Sequence, residues 1–292
     1  MNYQKPSWNL KKETEDTVNK MAKNKERLDK ILTDKGFFET KSKAQGAIMA
    51  GDVKINDEVI TKAGYLLELK ETTKIEIKSL PFVSRGGLKL DKAIKVFDID
   101  LKNRYCLDAG ASTGGFTDCM LQNGANYVYA VDVGYGQIAW KLRSDDRVKV
   151  VERTNIKNCE KTEIYEENDI LPDFCAMDLS FISITKVLDN IKLLMNEENQ
   201  EIVSLIKPQF EAGKELVGKN GVVREKSTHL KVINDVLNYA QNIGLYPKQL
   251  TFSPIKGPAG NIEYLVQLVN QQTDFNKEII EQIVETANNS EF

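Results

Sequence analysis

The stretch L107-D-A-G-A-S-T-G-G-F-T-D-C-M-L121 decides how this chain is read. Gly110 ends YCLDAG, an apolar run of the kind a buried strand needs, and Gly114 and Gly115 follow it among small residues. A second apolar stretch follows them. Small residues at that density leave space for a ligand to lie against the backbone. The pattern G-x-x-x-G-G is not the G-x-G-x-x-G of dinucleotide sites, and no Lys-Ser/Thr pair makes it a phosphate loop.

Working outward, apolar strands are expected at YVYAVDVG, VKVVER, DFCAMDLS, EIVSLIKP, KQLTFSP and EYLVQLV. Helices are expected between several of them, notably ITKVLDNIKLLMNE and THLKVINDVLNYAQNIG. In the second helix Leu230, Ile233, Leu237 and Ala240 share a face, and Gly244 follows as a stop. Strands alternating with amphipathic helices predict an α/β fold, a mainly parallel sheet with helices on both faces. The last two strands are joined by SPIKGPAGNI without a helix, which predicts an antiparallel hairpin at one edge. Ligands of such sheets lie beyond the carboxyl ends of the strands. The glycine stretch is at that place. Asp132 ends the next strand, where a carboxylate can accept hydrogen bonds from ribose hydroxyls. A tight strand-to-helix turn would also call for glycine, and it is the second acid that favours a ligand.

Upstream, RLDKILTDKGFFETKSKAQGAIMAGDVKINDEVI is a compact unit of its own. Leu28, Ile31 and Leu32 form one apolar helical face, and Gly36 can cap that helix. A second helix from about Thr40 to Met49 turns Ala44, Ala47 and Ile48 inward. Asn56-Asp57 is a turn dipeptide between short strands. Further strands are expected in YLLELK and TKIEIKSL. Pro81 punctuates the end of this module. Between Lys23 and Lys43 seven basic residues (Lys23, Lys25, Arg27, Lys30, Lys35, Lys41, Lys43) face four acidic ones (Glu26, Asp29, Asp34, Glu39). Lysines at a helix start oppose the macrodipole, which hints at an external anion.

At 292 residues and 41% apolar, the chain suits one large domain plus a small one. Its formal charge of -3, from 40 Lys+Arg against 43 Asp+Glu, points to no partner by itself. Cys106, Cys119, Cys159 and Cys175 form no metal-ligand or CxxC spacing, and no metal is expected. No signal peptide or long apolar run is present, so a cytoplasmic protein without a membrane partner is expected. His229, the single histidine, lies in a polar stretch and is expected at the surface or as a cap. The expected divisions are a flexible extension over 1–20, a small α+β domain over 21–80, a large domain over 81–273 and a C-terminal helix or tail over 274–292.

Four further residues sit at strand ends or in loops: Lys89 in SRGGLKL, Asp178 in AMDLSFIS, Lys207 in LIKPQF and Glu263 in GNIEYL. Charged groups at the ends of apolar strands need partners, and one rim of a sheet can gather them into a cleft. A structural ion-pair cluster is the plain alternative.

The glycine stretch resembles the first motif of S-adenosylmethionine-dependent methyltransferases, and the order Lys-Asp-Lys-Glu resembles the tetrad of FtsJ-like ribose 2′-O-methyltransferases. From about Arg27 to Val269 the chain resembles the TlyA, or hemolysin-A-like, family. The motifs that carry the match are RLDKIL, KSKAQGAIMAGDVKIN, FVSRGGLKL, LDAGASTGGFTD, ERTN, MDLSFIS, LIKPQFE, GKNGVVRE and SPIKGPAGNIEYL. The resemblance implies a Rossmann-like seven-stranded methyltransferase sheet and a small N-terminal RNA-binding domain like that of ribosomal protein S-four. It implies S-adenosylmethionine as cofactor, held by Asp108, Gly110, Ala111, Ser112, Thr113, Gly114, Gly115, Phe116 and Asp132. It implies Lys89, Asp178, Lys207 and Glu263 as catalytic residues, Lys207 activating a ribose hydroxyl and Asp178 orienting it. The implied partner is ribosomal RNA or a ribosomal subunit, met by Lys25, Arg27, Lys30, Lys41, Lys43 and Arg85, with methylation of a cytidine ribose and a monomer or weak dimer as the working form. Thr40-Lys41 departs from the Ser-Arg expected before SKAQ, which loses a bidentate phosphate donor. The other readings are a cytolysin, after the family's name, an RNA-binding module that lost its chemistry, and an enzyme of the same fold acting on a small molecule or protein, against which the basic N-terminal module argues. No spanning helix favours the first, and neither a broken tetrad nor a blocked loop favours the second.

Overall fold

The computed structural model describes residues 25–38, 40–70, 72–77 and 81–292; the extension expected over 1–20 lies outside them. The chain divides into two compact units, one ending at Ser79 and one beginning at Leu80.

The first unit runs β1 (Lys25–Arg27), α1 (Leu28–Asp34), α2 (Lys41–Met49), β2 (Val53–Ile55), β3 (Glu58–Ile60), β4 (Leu66–Glu68) and β5 (Ile75–Ile77). Leu28, Ile31 and Leu32 are buried as their spacing predicts, together with Ala44, Ile48, Val53, Ile55 and Ile60. The Thr40 hydroxyl caps α2 by accepting from the Lys43 amide at 3.2 Å. Asn56 and Asp57 take φ of 48° and 68°, the left-handed pair a two-residue hairpin needs between β2 and β3. Strand β1 is unexpected. Its three residues are all charged and exposed, and only pairing with β4 makes it a strand.

The second unit comprises α3 (Gly87–Phe97), β6 (Tyr105–Ala109), α4 (Gly115–Gln122), β7 (Tyr127–Val131), α5 (Trp140–Arg143), β8 (Val148–Val151), α6 (Lys161–Ile164), β9 (Phe174–Met177), α7 (Leu188–Leu194), β10 (Glu201–Ile206), α8 (Pro208–Glu211), α9 (Lys226–Asn242), β11 (Tyr246–Phe252), β12 (Tyr264–Val269) and α10 (Ile279–Asn289). Its seven strands lie in the order β11-β12-β10-β9-β6-β7-β8. β8, β7, β6, β9 and β10 are parallel, and β12 and β11 are antiparallel. Alternate strand residues feed two cores. Leu107, Tyr129, Cys175 and Ile202 pack with α7, α9 and α10 on one face. Cys106, Val128, Phe174 and Val203 pack with α3 and α4 on the other. All four cysteines are buried.

Three expectations change. The helix expected over 184–197 breaks into a 3-10 turn (Ile184–Lys186) and α7. Lys89, expected in a loop, lies in the first turn of α3. His229 is neither surface nor cap: it is 1% exposed, Nδ1 is 2.7 Å from the Tyr264 hydroxyl, and Nε2 is 3.1 Å from the Val223 carbonyl. The buried stripe of α9 includes His229, Val232, Ile233, Val236, Leu237 and Ala240, so Leu230 is only half-buried and the histidine takes the sheet-facing place.

Candidate active site

The parallel strands end on one rim, and three of the four tetrad residues are set there by the sheet itself. Asp178 follows β9, and Lys207 follows β10. Glu263 precedes β12, whose register pairs Ile206 with Tyr264 and brings Lys207 and Glu263 to the same end. Lys89 reaches the group from α3. The four form one chain of ion pairs: Glu263 Oε2 to Lys89 Nζ at 2.7 Å, Lys89 Nζ to Asp178 Oδ2 at 3.2 Å, Asp178 Oδ1 to Lys207 Nζ at 2.6 Å. Lys207 also donates to the Ser180 hydroxyl at 3.1 Å.

Both lysines and Glu263 are buried, whereas the Asp178 side chain keeps 20% exposure and is the open member of the chain. Burial pushes the Asp178 carboxyl up, but the Lys89 and Lys207 ammonium groups outweigh it and hold the carboxyl below its ordinary value. Burial pulls the Lys89 ammonium down, yet Asp178 and Glu263 carry it above its ordinary value. Asp178 and Lys89 are therefore both charged at neutral pH, as buried ions can be only when paired.

The residues that support this arrangement were not singled out from the sequence. A Cβ on Gly257 would stand 2.5 Å from Glu263 Oε1, so that glycine makes room for the carboxylate. Asn261, 2% exposed, accepts from the Val223 amide at 3.0 Å and donates to the Gly221 carbonyl at 2.9 Å. It binds the GKNGVVRE loop to the turn carrying Glu263. Asp118 accepts from the Val83 amide at 2.8 Å, tying α4 to the segment that leads to Lys89. Their signal in the sequence is only membership of the motif runs; their partners lie far along the chain.

The glycine loop adjoins the tetrad. Gly110 has φ of 89°, and a Cβ there would lie 3.1 Å from the Asp178 carbonyl; the Asp178 amide donates to the Ala109 carbonyl at 3.2 Å. Gly115 serves a close approach, since a Cβ would stand 2.8 Å from the Gly87 amide nitrogen. Gly114, with φ of 94°, backs onto Leu142. Ala111 and Phe116 are 4% and 3% exposed and turn their side chains into the core, so only their backbone faces the loop's open side. Thr113 holds the loop to α5 through its carbonyl, which accepts from the Ala139 amide at 3.1 Å. Asp132 accepts from the Ser112 amide at 2.8 Å and the Gly134 amide at 2.6 Å, bracing the loops after β6 and β7. Asp108 is fully buried. Its Oδ2 accepts from the Thr117 amide at 2.9 Å and hydroxyl at 2.6 Å, while Oδ1 has no hydrogen-bond partner among the described residues. Burial pushes its carboxyl up to about 7.

In the first unit the expected basic stripe divides. Arg27 is bound by Asp29 through Nε at 3.0 Å and Nη2 at 2.6 Å. That guanidinium holds the fully buried Asp29 carboxyl down to about 2, and Gln45 donates to the same carboxylate at 2.6 Å. Lys30 is paired with Glu26 and Asp34. Lys25, Lys41 and Lys43 are exposed, as is Arg85 in the second unit.

A seven-stranded sheet with its last strands antiparallel, a glycine loop after the first strand and a charged tetrad on the same rim define a methyltransferase. The model of the FtsJ-like methyltransferase family matches residues 82–270, most of the chain, and the S4 domain model matches residues 26–72. The chain belongs to the FtsJ-like methyltransferase family. Among its relatives, hemolysin A of Brachyspira hyodysenteriae is 44% identical, over 83% of this chain and 99% of that protein. The 16S/23S rRNA (cytidine-2′-O)-methyltransferase TlyA of Mycobacterium tuberculosis is 39% identical, over 85% of this chain and 91% of that one. A solved structure of a hemolysin candidate from Streptococcus thermophilus is 43% identical, with a TM-score of 0.73 over 91% of this chain and 96% of that one. No helix of the described residues is long and apolar enough to cross a membrane.

Proposed function

We propose that the chain transfers a methyl group from S-adenosylmethionine to a ribose 2′-hydroxyl of ribosomal RNA, a cytidine being the target that the name of the M. tuberculosis relative gives. One juxtaposition supports this best: the Asp178 backbone lies against Gly110, so the tetrad and the glycine loop share a wall. The loop suits the cofactor. Asp108 Oδ1 is a buried acceptor with its hydrogen-bonding capacity unspent, and such an atom calls for a donor or a cation. Asp108, Gly110, Ser112, Thr113, Gly114, Gly115 and Asp132 would hold the cofactor, with Ala111 and Phe116 contributing backbone. When bound, that cofactor supplies an electrophilic methyl group on a positively charged sulfur.

The protein's own part is to present a poor nucleophile. Lys207, ion-paired with Asp178 and donating to Ser180, can turn a remaining N–H toward a ribose hydroxyl and stabilise the alkoxide that develops as the hydroxyl proton leaves to solvent. Asp178 orients Lys207 through their ion pair. Lys89 and Glu263 complete a chain of alternating charges that holds Asp178 in turn. The first unit anchors RNA through the exposed Lys25 and Lys41, with Arg85 on the second. Arg27 and Lys30, already paired, contribute less than their charge suggests. The working protein is a cytoplasmic monomer or weak dimer. Mapping 2′-O-methylated positions in rRNA from cells with and without the protein tests the proposal: a position that loses its methyl group supports it, and identical maps refute it.

A further inference from the structure

The turn α8 begins directly after Lys207 and ends in Glu211. Lys207 caps the turn in an extended conformation and Glu211 is its last residue. Their charges are opposite, yet they do not pair with each other. Each takes a serine of the facing loop instead. Lys207 donates to the Ser180 hydroxyl at 3.1 Å, and the Ser183 hydroxyl donates to Glu211 Oε2 at 2.5 Å. The Ile184 amide donates to Glu211 Oε1 at 2.8 Å, so the carboxylate is committed at both oxygens. Between the two serines Phe181 stands 90% exposed with a left-handed φ of 65°, its ring centroid 5.2 Å from that of Phe210. A phenylalanine keeps that backbone only where its surroundings over-determine it.

We propose that Glu211 is a positioning residue for methyl transfer: with Lys207 it clasps the 178–184 loop at two points, fixing Asp178 against Lys207 and holding Phe181 out over the rim. The inference rests on the methyltransferase reading above. Asp178 is held by Lys207 at one end of the loop, and Glu211 holds the polar groups of Ser183 and Ile184 at the other. A small displacement is enough to matter, because attack on the methyl group requires the Asp178–Lys207 pair at a set place.

The test compares Glu211→Ala, Glu211→Gln and Ser183→Ala with the wild type, in single-turnover methyl transfer at saturating rRNA and by hydrogen exchange of the 178–184 amides. Glu211→Ala should lower the rate about 10- to 100-fold, the scale of loss for a displacement near 1 Å, while cofactor affinity stays within about two-fold. Glu211→Gln should recover most of the rate, because an amide can accept from Ile184 and donate to Ser183. Ser183→Ala should lose a few-fold. Exchange at Ile184 should rise in Glu211→Ala and stay low in Glu211→Gln. A wild-type rate in folded Glu211→Ala, or equal loss in the alanine and glutamine variants, overturns the proposal. If Glu211→Ala does not fold, a wild-type rate in Ser183→Ala overturns it instead. Wild-type protein that transfers no methyl group refutes the methyltransferase reading alone; the clasp is then judged by exchange, and unchanged protection in the variants refutes it.

Discussion

Lys207 faces one acid and one hydroxyl at the end of a buried strand, and its ammonium matters most when negative charge develops beside it. Lys207→Ala should therefore slow single-turnover methyl transfer, by about 10²–10³-fold if it acts as lost electrostatic donors generally do. RNA and cofactor affinities should change little, and near-normal rates would remove Lys207 from the chemistry. Asp178→Ala should add far less than its own single effect, since both residues belong to one unit. Lys207→Arg should not rescue, because a planar fork does not fit the place of a compact ammonium. Asp108 offers a different readout. Its ordinary value of 3.8 is raised to about 7 in the folded protein by burial. Between those two values the folded state keeps a proton that the unfolded state has lost, so stability falls as pH rises through that window. Asp108→Asn should flatten this slope, which urea midpoints at about pH 5 and about pH 8 would reveal.

At the scale of elements, the site depends on turns that must approach closely. Gly257→Ala would press a methyl group on Glu263 Oε1, 2.5 Å away, and push that carboxylate off Lys89. Methyl transfer should drop about ten-fold or more, by the cost of misplacing a catalytic group, whereas a melting temperature lowered with the rate intact would make this glycine structural only. The strands and their order of use were legible, because apolar runs separated by amphipathic helices leave few alternatives to a doubly wound sheet. Asp178, Lys207 and Glu263 were legible as charges at the ends of such runs, whereas Lys89, on a helix, was picked out by the family resemblance. The close approach of Gly115 to Gly87, and Gly257 and Asn261 altogether, were not legible. Their reason lies in partners 28, 6 and 38 residues away, and periodicity carries no information at such distances. His229 was misread for a related cause: its neighbours in the chain are polar, and only the way α9 lies on the sheet buries it.

At the scale of the whole molecule, two compact units divide recognition from chemistry in the proposed function. Lys25→Ala and Lys41→Ala should each weaken rRNA binding and reduce its salt slope by about one, as the loss of one phosphate contact does. Unchanged slopes would place the RNA elsewhere. Arg27→Ala should instead destabilise the first unit, because it strips the buried Asp29 carboxylate of its main counter-charge. The sequence could count these charges but could not say which were already spoken for. The buried histidine has a consequence for observing all this. A chain of 292 residues with one imidazole yields a single set of ring resonances, without any labelling scheme to resolve them. That ring touches Tyr264, the neighbour of Glu263, and Val223, in the loop that Asn261 holds. Burial lowers its affinity for protons, which moves its titration away from neutral pH. Its signal would then shift only when the Glu263 turn or the 221–223 loop moves, and the protein carries its own reporter of whether RNA rearranges that side of the site.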